Sequence, residues 1–404
     1  MRTMRVTVAV DSFKGSLSSI EAGFAVKKGI LRVYSDAEIT ICPLADGGEG
    51  TSETLLKALD GTPVKIRVNE PLGAAEPKVD VMYSILPDGK TAAMDVSRAA
   101  GLTLVPEEKR NPLNTTTYGV GEMIRDAVGK GVRHFIIGIG GTSTNDGGSG
   151  MLTALGYRFL DKNNEPVDCF GRGLENLAVI DETDVLPELS ECDFRIACDV
   201  INPLCGQNGA SAVFGPQKGA TPQIIANMDK WLEHYADIAE QLCGRKAEDI
   251  KNVPGAGAAG GLGFAFLAFM NASLESGIKI IMDVTNMRDK IRNSDIVITG
   301  EGRLDSQTAM GKAPAGIASI AKEYNKPVIA VSGSVSKGAE QCNQKGIDAF
   351  FPILRNIIPL ETAMRKDVAS DNLSDTIEQI FRLIKVEKNC GGIEKKPEVV
   401  EAYR

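Results

Sequence analysis

Five groups of residues in this 404-residue chain have the types and spacing that hold anions and move protons. They are Asp11 with Lys14, Asp46 with Glu49, the run Gly138–Gly150, the single Asp199, and Glu301 with Arg303 and Asp305. The run reads Gly-Ile-Gly-Gly-Thr-Ser-Thr-Asn-Asp-Gly-Gly-Ser-Gly and interleaves glycines with polar side chains. Glycine lets the backbone approach an anion, and N–H groups at a helix start point at it. Gly140, Gly141, Thr142, Ser143, Thr144 and Asn145 are therefore candidates for holding phosphates, and Asp146 offers a carboxylate able to face a metal. The run lacks the closing Gly-Lys-Ser/Thr of a Walker A loop and is not a clean dinucleotide fingerprint. A tight turn leading into a capped helix would use the same residues.

No Cys–His or Ser–His nucleophile pair is evident. The two histidines, His134 and His234, read as structural, so general-base work falls to a carboxylate. Carboxylates, cations and glycine loops together suit phosphoryl transfer, in which a protein mainly positions groups and neutralises charge. A nucleotide-cofactor oxidoreductase and a non-catalytic small-metabolite binder are the other two readings of the same inventory.

Each group follows a predicted strand. Val6–Val10 precedes Asp11, Ile39–Cys42 precedes Asp46, Phe135–Ile137 precedes the glycine run, Phe194–Cys198 precedes Asp199, and Ile296–Thr299 precedes Glu301. Strand ends of this kind converge on one edge of a parallel sheet, where open α/β folds bind ligands. Ser18 and Glu21 have capping-box spacing and open a helix whose predicted apolar stripe is Ile20, Phe24, Ile30 and Leu31. A helix over Ser52–Leu59 closes the second βα unit, Gln223–Leu242 is amphipathic, and Asp375–Val386 is the last predicted helix. In between, the pattern changes: Val64–Val68, Lys78–Leu86 and Thr91–Val96 are strand-like, with a Pro87-Asp88-Gly89 turn. A second domain therefore begins near residue 70, and the βα rhythm returns from Ile278. Gly209–Gly219 is too apolar for a linker, and Pro254–Gly263 suits close helix packing through small residues. Residues 387–404 are charged and unpatterned, which predicts disorder.

Composition narrows the classes. The length exceeds what one core usually serves, so two domains are expected. A net charge of −8 argues against nucleic acid as the main partner. The eight cysteines (Cys42, Cys169, Cys192, Cys198, Cys205, Cys243, Cys342 and Cys390) include no Cys-x-x-Cys pair and read as reduced, mostly buried thiols. The longest apolar stretch, Leu262–Met270, is too short to span a bilayer, and Val6–Val10 is too short for a signal peptide. A cytoplasmic location and no membrane partner are expected.

The residues also carry a family resemblance. Asp11–Ser19, Pro43–Thr51, Gly101–Gly121, Gly138–Gly150, Ala197–Leu204, Ala212–Ala220, Pro254–Gly263 and Ile298–Pro314, in this order, resemble the block series of the bacterial glycerate kinase family, type 1. The resemblance implies phosphorylation of D-glycerate to 2-phosphoglycerate, dependent on ATP and Mg²⁺, in organic acid catabolism. It also implies an α/β protein of two domains with the site in the cleft. The first is a discontinuous Rossmann-like or flavodoxin-like parallel sheet, residues 1–69 plus 287–386. The second is an inserted mixed α/β domain, residues 70–286. The chain is then a monomer or a homo-oligomer. In this frame Gly140–Asn145 meet the nucleotide phosphates, and Lys14 meets the glycerate carboxylate or the transferred phosphoryl group. Asp46 is the first choice for the base, Asp199 or Glu301 for Mg²⁺, and Arg303 for neutralising charge. Asp305 and Glu301 are the alternative bases.

Overall fold

The computed structural model describes residues 3–44, 55, 59–73, 78–243, 250–310 and 312–389. The chain divides into two compact units, Met1–Leu44 with Asn286–Arg404, and Ala45–Thr285.

The first unit holds a wholly parallel five-stranded sheet. Its order across the sheet is Glu38–Ile41, Arg5–Val10, Ile296–Leu304, Val328–Val335, Ala349–Pro352. In chain order this is 2-1-3-4-5, the flavodoxin-like arrangement, and it reverses between Arg5–Val10 and Ile296–Leu304. Strands covered on both faces need near-continuous apolar runs, and Val6, Val8, Val10, Ile296 and Ile298 supply them, all buried.

The helix Ser19–Leu31 starts in the expected capping box. The Glu21 N–H donates to the Ser18 hydroxyl at 3.2 Å, and the Ser18 N–H donates to the Glu21 carboxylate at 2.8 Å. That backbone hydrogen bond, with the Lys366 ammonium, holds the Glu21 pKa down at about 2. The buried face differs from the predicted stripe. Ala22, Gly23, Ala25, Val26, Gly29 and Ile30 face inward, while Phe24 is 58% exposed. The cause is close approach to the helix Lys366–Asn389: a Cβ at Gly29 would lie 2.3 Å from the Ser374 carbonyl oxygen. That last helix also overruns the predicted end at Val386.

The second unit carries a six-stranded mixed sheet. Ala272–Glu275, Asp193–Ala197, His134–Gly138 and Thr91–Asp95 are parallel neighbours. Lys78–Ile85 and Thr62–Asn69 continue the sheet antiparallel. Thr62–Asn69 thus lies in the second unit, whereas the sequence groups residues 1–69 with the first. Pairing decides it, because the strand ladders with Lys78–Ile85 over its whole length. Phe135 and Phe194 are register partners, and their rings stack at 4.7 Å between centroids. They join Ile137, Ile196, Tyr235 and Phe266 in one core.

The predicted helix Ser52–Leu59 lies outside the described residues apart from Leu55 and Leu59, as does the tail from residue 390. Among the described residues no helix is long and apolar enough to cross a membrane. Cys42, Cys169, Cys192, Cys198, Cys205 and Cys342 are free thiols.

Candidate active site

In the second unit the strand His134–Gly138 runs into the glycine loop, and a short helix, Ser149–Ala154, follows. Asp146 organises the turn. Its carboxylate accepts the Thr117 N–H and the Thr117 hydroxyl, each at 2.7 Å, and the N–H groups of Gly148 and Gly150 at 3.2 and 3.3 Å. The side chain is fully buried; burial pushes its pKa up, and the four donors oppose that rise. A carboxylate so enclosed holds the loop together and does not face a metal, which corrects the sequence reading of Asp146.

The rest of the loop is tied from several sides. Ser143 gives its N–H and its hydroxyl to the Ala100 carbonyl, at 2.8 and 3.1 Å. The Asn145 amide donates to the Ser211 hydroxyl at 2.8 Å. The Gly147 N–H donates to the Gly260 carbonyl at 2.9 Å. Gly260 has a φ of +70°, and a Cβ there would sit 2.1 Å from the Thr144 carbonyl oxygen. The small residues of Pro254–Gly263 therefore serve an approach of backbone to backbone against the loop.

A cavity of about 250 Å³ opens beside the loop, and Gly140, Gly141, Thr142, Asp199, Phe214 and Lys218 are among its lining residues. Ser143, Thr144 and Asn145 are buried behind that wall. Lys218 is only 2% exposed, at the end of the turn Pro216–Lys218. Its ammonium donates to the Thr144 carbonyl at 2.5 Å and to the Thr142 hydroxyl at 3.3 Å. Burial draws its pKa down to about 7, against the opposing charge of Asp146. Asp199 stands exposed after the strand Asp193–Ala197 and accepts the Gly277 N–H at 3.3 Å.

In the first unit, Arg5–Val10 and Ile296–Leu304 are adjacent, with Val10 opposite Gly300 and the Asp11 N–H donating to the Gly300 carbonyl at 2.8 Å. The predicted strand end at Thr299 is passed. Glu301, Arg303 and Leu304 pair with Ser332, Ser334 and Val335, and the Leu304 N–H donates to the Ser332 hydroxyl at 3.0 Å. Glu301 is consequently a buried strand residue whose Oε1 accepts the Thr308 hydroxyl at 2.7 Å. Burial raises its pKa. The Thr308 bond and the charge of Lys312 lower it, Asp305 adds to the rise, and Lys14 lowers it a little more.

Lys14 is exposed, and its backbone runs past Gly302, where a Cβ would lie 3.5 Å from the Lys14 nitrogen. Arg303 donates to the Ser336 hydroxyl at 3.0 Å and stands 3.8 Å from Asp305. Asp305 accepts the N–H groups of Gln307 and Thr308 at 2.9 and 3.3 Å and so caps the turn Thr308–Met310.

The sequence-predicted residues thus fall into two sets. Lys14, Glu301, Arg303 and Asp305 share the switch-point end of the first sheet. Gly140, Gly141, Thr142 and Asp199 share the cavity of the second unit. Asp46 lies outside the described residues. Among the described residues no group of three or more His, Cys, Asp or Glu is placed to hold a metal. His134 pairs with Asp193, and His234 reaches the Leu177 carbonyl. Two cations escaped sequence reasoning. Lys218 sits in an apolar run that gives no hint of a buried charge. Lys312, just before the helix Ala313–Glu323, could have been noticed from the Gly311-Lys312-Ala313-Pro314 helix start.

Comparison with known proteins shows the family and the fold. The model of the Glycerate kinase family matches residues 6–385. Glycerate kinase of Haemophilus influenzae is 45% identical over 94% of this chain and 99% of its own length. Glycerate 2-kinase of Escherichia coli is 46% identical over 92% of this chain and 95% of its own. A crystal structure from Salmonella typhimurium LT2, provisionally named glycerate kinase 2, superposes with a TM-score of 0.87 at 43% identity, covering 96% of this chain and all of that one. This chain belongs to the glycerate kinase family.

Proposed function

We propose that the protein transfers the γ-phosphoryl group of ATP to D-glycerate and yields 2-phosphoglycerate. The observation that carries this reading is the switch-point edge of the first sheet, where the cation Lys14 lies beside the buried carboxylate Glu301. An acidic three-carbon substrate needs a cation to hold its carboxylate, and phosphoryl transfer needs carboxylates and cations around the moving charge.

In this reading Gly140, Gly141 and Thr142 hold the nucleotide phosphates along the cavity wall, and Ser143, Thr144 and Asn145 support them from behind. Lys14 holds the glycerate carboxylate or the transferred group. Asp46 accepts the proton of the attacking hydroxyl as the new O–P bond forms and the bond to ADP breaks. Arg303 neutralises developing charge, and Asp305 orders the turn that carries Thr308 to Glu301.

The hard oxygen donor of Asp199 or of Glu301 would suit Mg²⁺, which takes one or two protein carboxylates beside phosphates and water. When bound, the ion neutralises phosphate charge. The proposal includes a cytoplasmic location, where ATP is available, and a monomer or homo-oligomer.

The test is ADP release in the presence of ATP, Mg²⁺ and D-glycerate. ADP should appear only with glycerate and in equal amount to phosphoglycerate. Glycerate binding without nucleotide turnover would reduce the protein to a binder.

A further inference from the structure

The cavity beside the glycine loop holds a charge that the roles above leave without a task. Among the described residues lining it there is one basic side chain, Lys218, and one acidic, Asp199. Burying an ammonium is costly unless its donors are satisfied. Lys218 spends its donors on the loop itself, on the Thr144 carbonyl and the Thr142 hydroxyl, one residue either side of Ser143. The turn that carries it is packed tightly, since a Cβ at the adjacent Gly219 would lie 2.1 Å from the Arg110 carbonyl oxygen. Lys218 therefore clamps the loop where the loop forms the cavity wall.

We propose that Lys218 is the positioning residue of the nucleotide site: it fixes Gly140–Thr142 in the shape that meets the phosphates and supplies the positive charge behind that wall. This rests on the assignment of the nucleotide phosphates to the same cavity. The charged and titratable groups around the ammonium are Asp146 behind the loop, and Asp199 and Cys198 along the cavity. The Arg110 guanidinium beside the turn is turned to the Val105 carbonyl at 3.4 Å. With a pKa of about 7, Lys218 is mostly neutral above that pH. An arriving polyanion favours the charged form and draws a proton onto it.

Isothermal titration of the protein with MgATP, without glycerate, tests this at pH 6 and pH 8 in buffers of different ionisation enthalpy. Wild-type protein should take up protons at pH 8. Lys218→Arg, whose cation does not titrate, should bind ATP without proton uptake. Lys218→Met should bind about 10-fold or more weakly at pH 6, the loss of a charge-assisted contact, and also without proton uptake. Persisting proton uptake in either variant overturns the inference. So does a Lys218→Met protein that has a lowered Tm but wild-type ATP affinity, because that is a purely structural lysine. Normal glycerate turnover alongside such results leaves the kinase reading intact, whereas a wild-type protein that binds no ATP overturns both.

Discussion

Asp146 and Thr117 are joined twice, the carboxylate taking both the backbone N–H and the hydroxyl of Thr117 at 2.7 Å. The pair links the glycine loop to the start of the helix Tyr118–Gly129. Asp146→Asn turns one of two acceptor atoms into a donor that faces donors. The variant should lose about 1–3 kcal/mol in urea unfolding, while the Mg²⁺ dependence of its folded fraction stays that of wild type. Full stability with a shifted Mg²⁺ dependence would return Asp146 to the metal.

Gly260 is the second fixed point of the loop. Gly260→Ala places a Cβ against the Thr144 carbonyl and keeps a positive φ that L-residues resist. Overpacking costs about 1–3 kcal/mol and the left-handed conformation roughly 1–2 more. Thermal unfolding should show a large drop in Tm. An unchanged Tm would mean that the start of the helix Ala258–Phe269 shifts freely away from the loop.

Much of this was legible in the residues. Val6–Val10, Phe135–Ile137 and Ile296–Thr299 are short apolar runs of the kind that strands covered on both faces use, and the polar groups after them lie at the carboxyl ends of those strands. The Ser18–Glu21 cap could be read because capping is local. What escaped depends on partners distant in sequence. Phe24 looked like core, but Gly29 needs a helix more than three hundred residues away to explain it. Glu301 looked like a loop residue until Ser332 supplied its strand neighbour. Thr62–Asn69 was placed by its pairing with Lys78–Ile85. The burial of Lys218 has no periodic signature, because it is set by the turn and the loop it clamps.

Glu301 should govern the acid side of the pH profile. Burial favours its neutral form, so the carboxylate titrates at a higher pH than an ordinary glutamate. Activity that needs the ionised form rises with pH through that raised value and falls away below it. Glu301→Gln should lower kcat by about 10²-fold, remove this limb, and raise the Mg²⁺ needed for half-maximal rate. A limb that persists in the variant belongs to another carboxylate.

Lys14 and Asp46 divide binding from proton transfer in this account. Lys14→Ala should raise the KM for glycerate roughly 10-fold, lower turnover, or both, through loss of a charged contact. Asp46→Asn should lower kcat by about 10²-fold or more, with a smaller change in KM. Asn caps a helix as well as Asp does, so a near-wild-type rate would leave Asp46 a cap and move the base to Glu301 or Asp305.

The most direct test of the whole account is phosphorus NMR of a reaction containing the protein, ATP, Mg²⁺ and D-glycerate. The γ-phosphate signal should fall as ADP and a single phosphomonoester, 2-phosphoglycerate, grow in equal amounts. Growth of the 3-phosphate instead would contradict the proposed acceptor hydroxyl, and an unchanged ATP spectrum with active-folded protein would contradict the kinase reading itself.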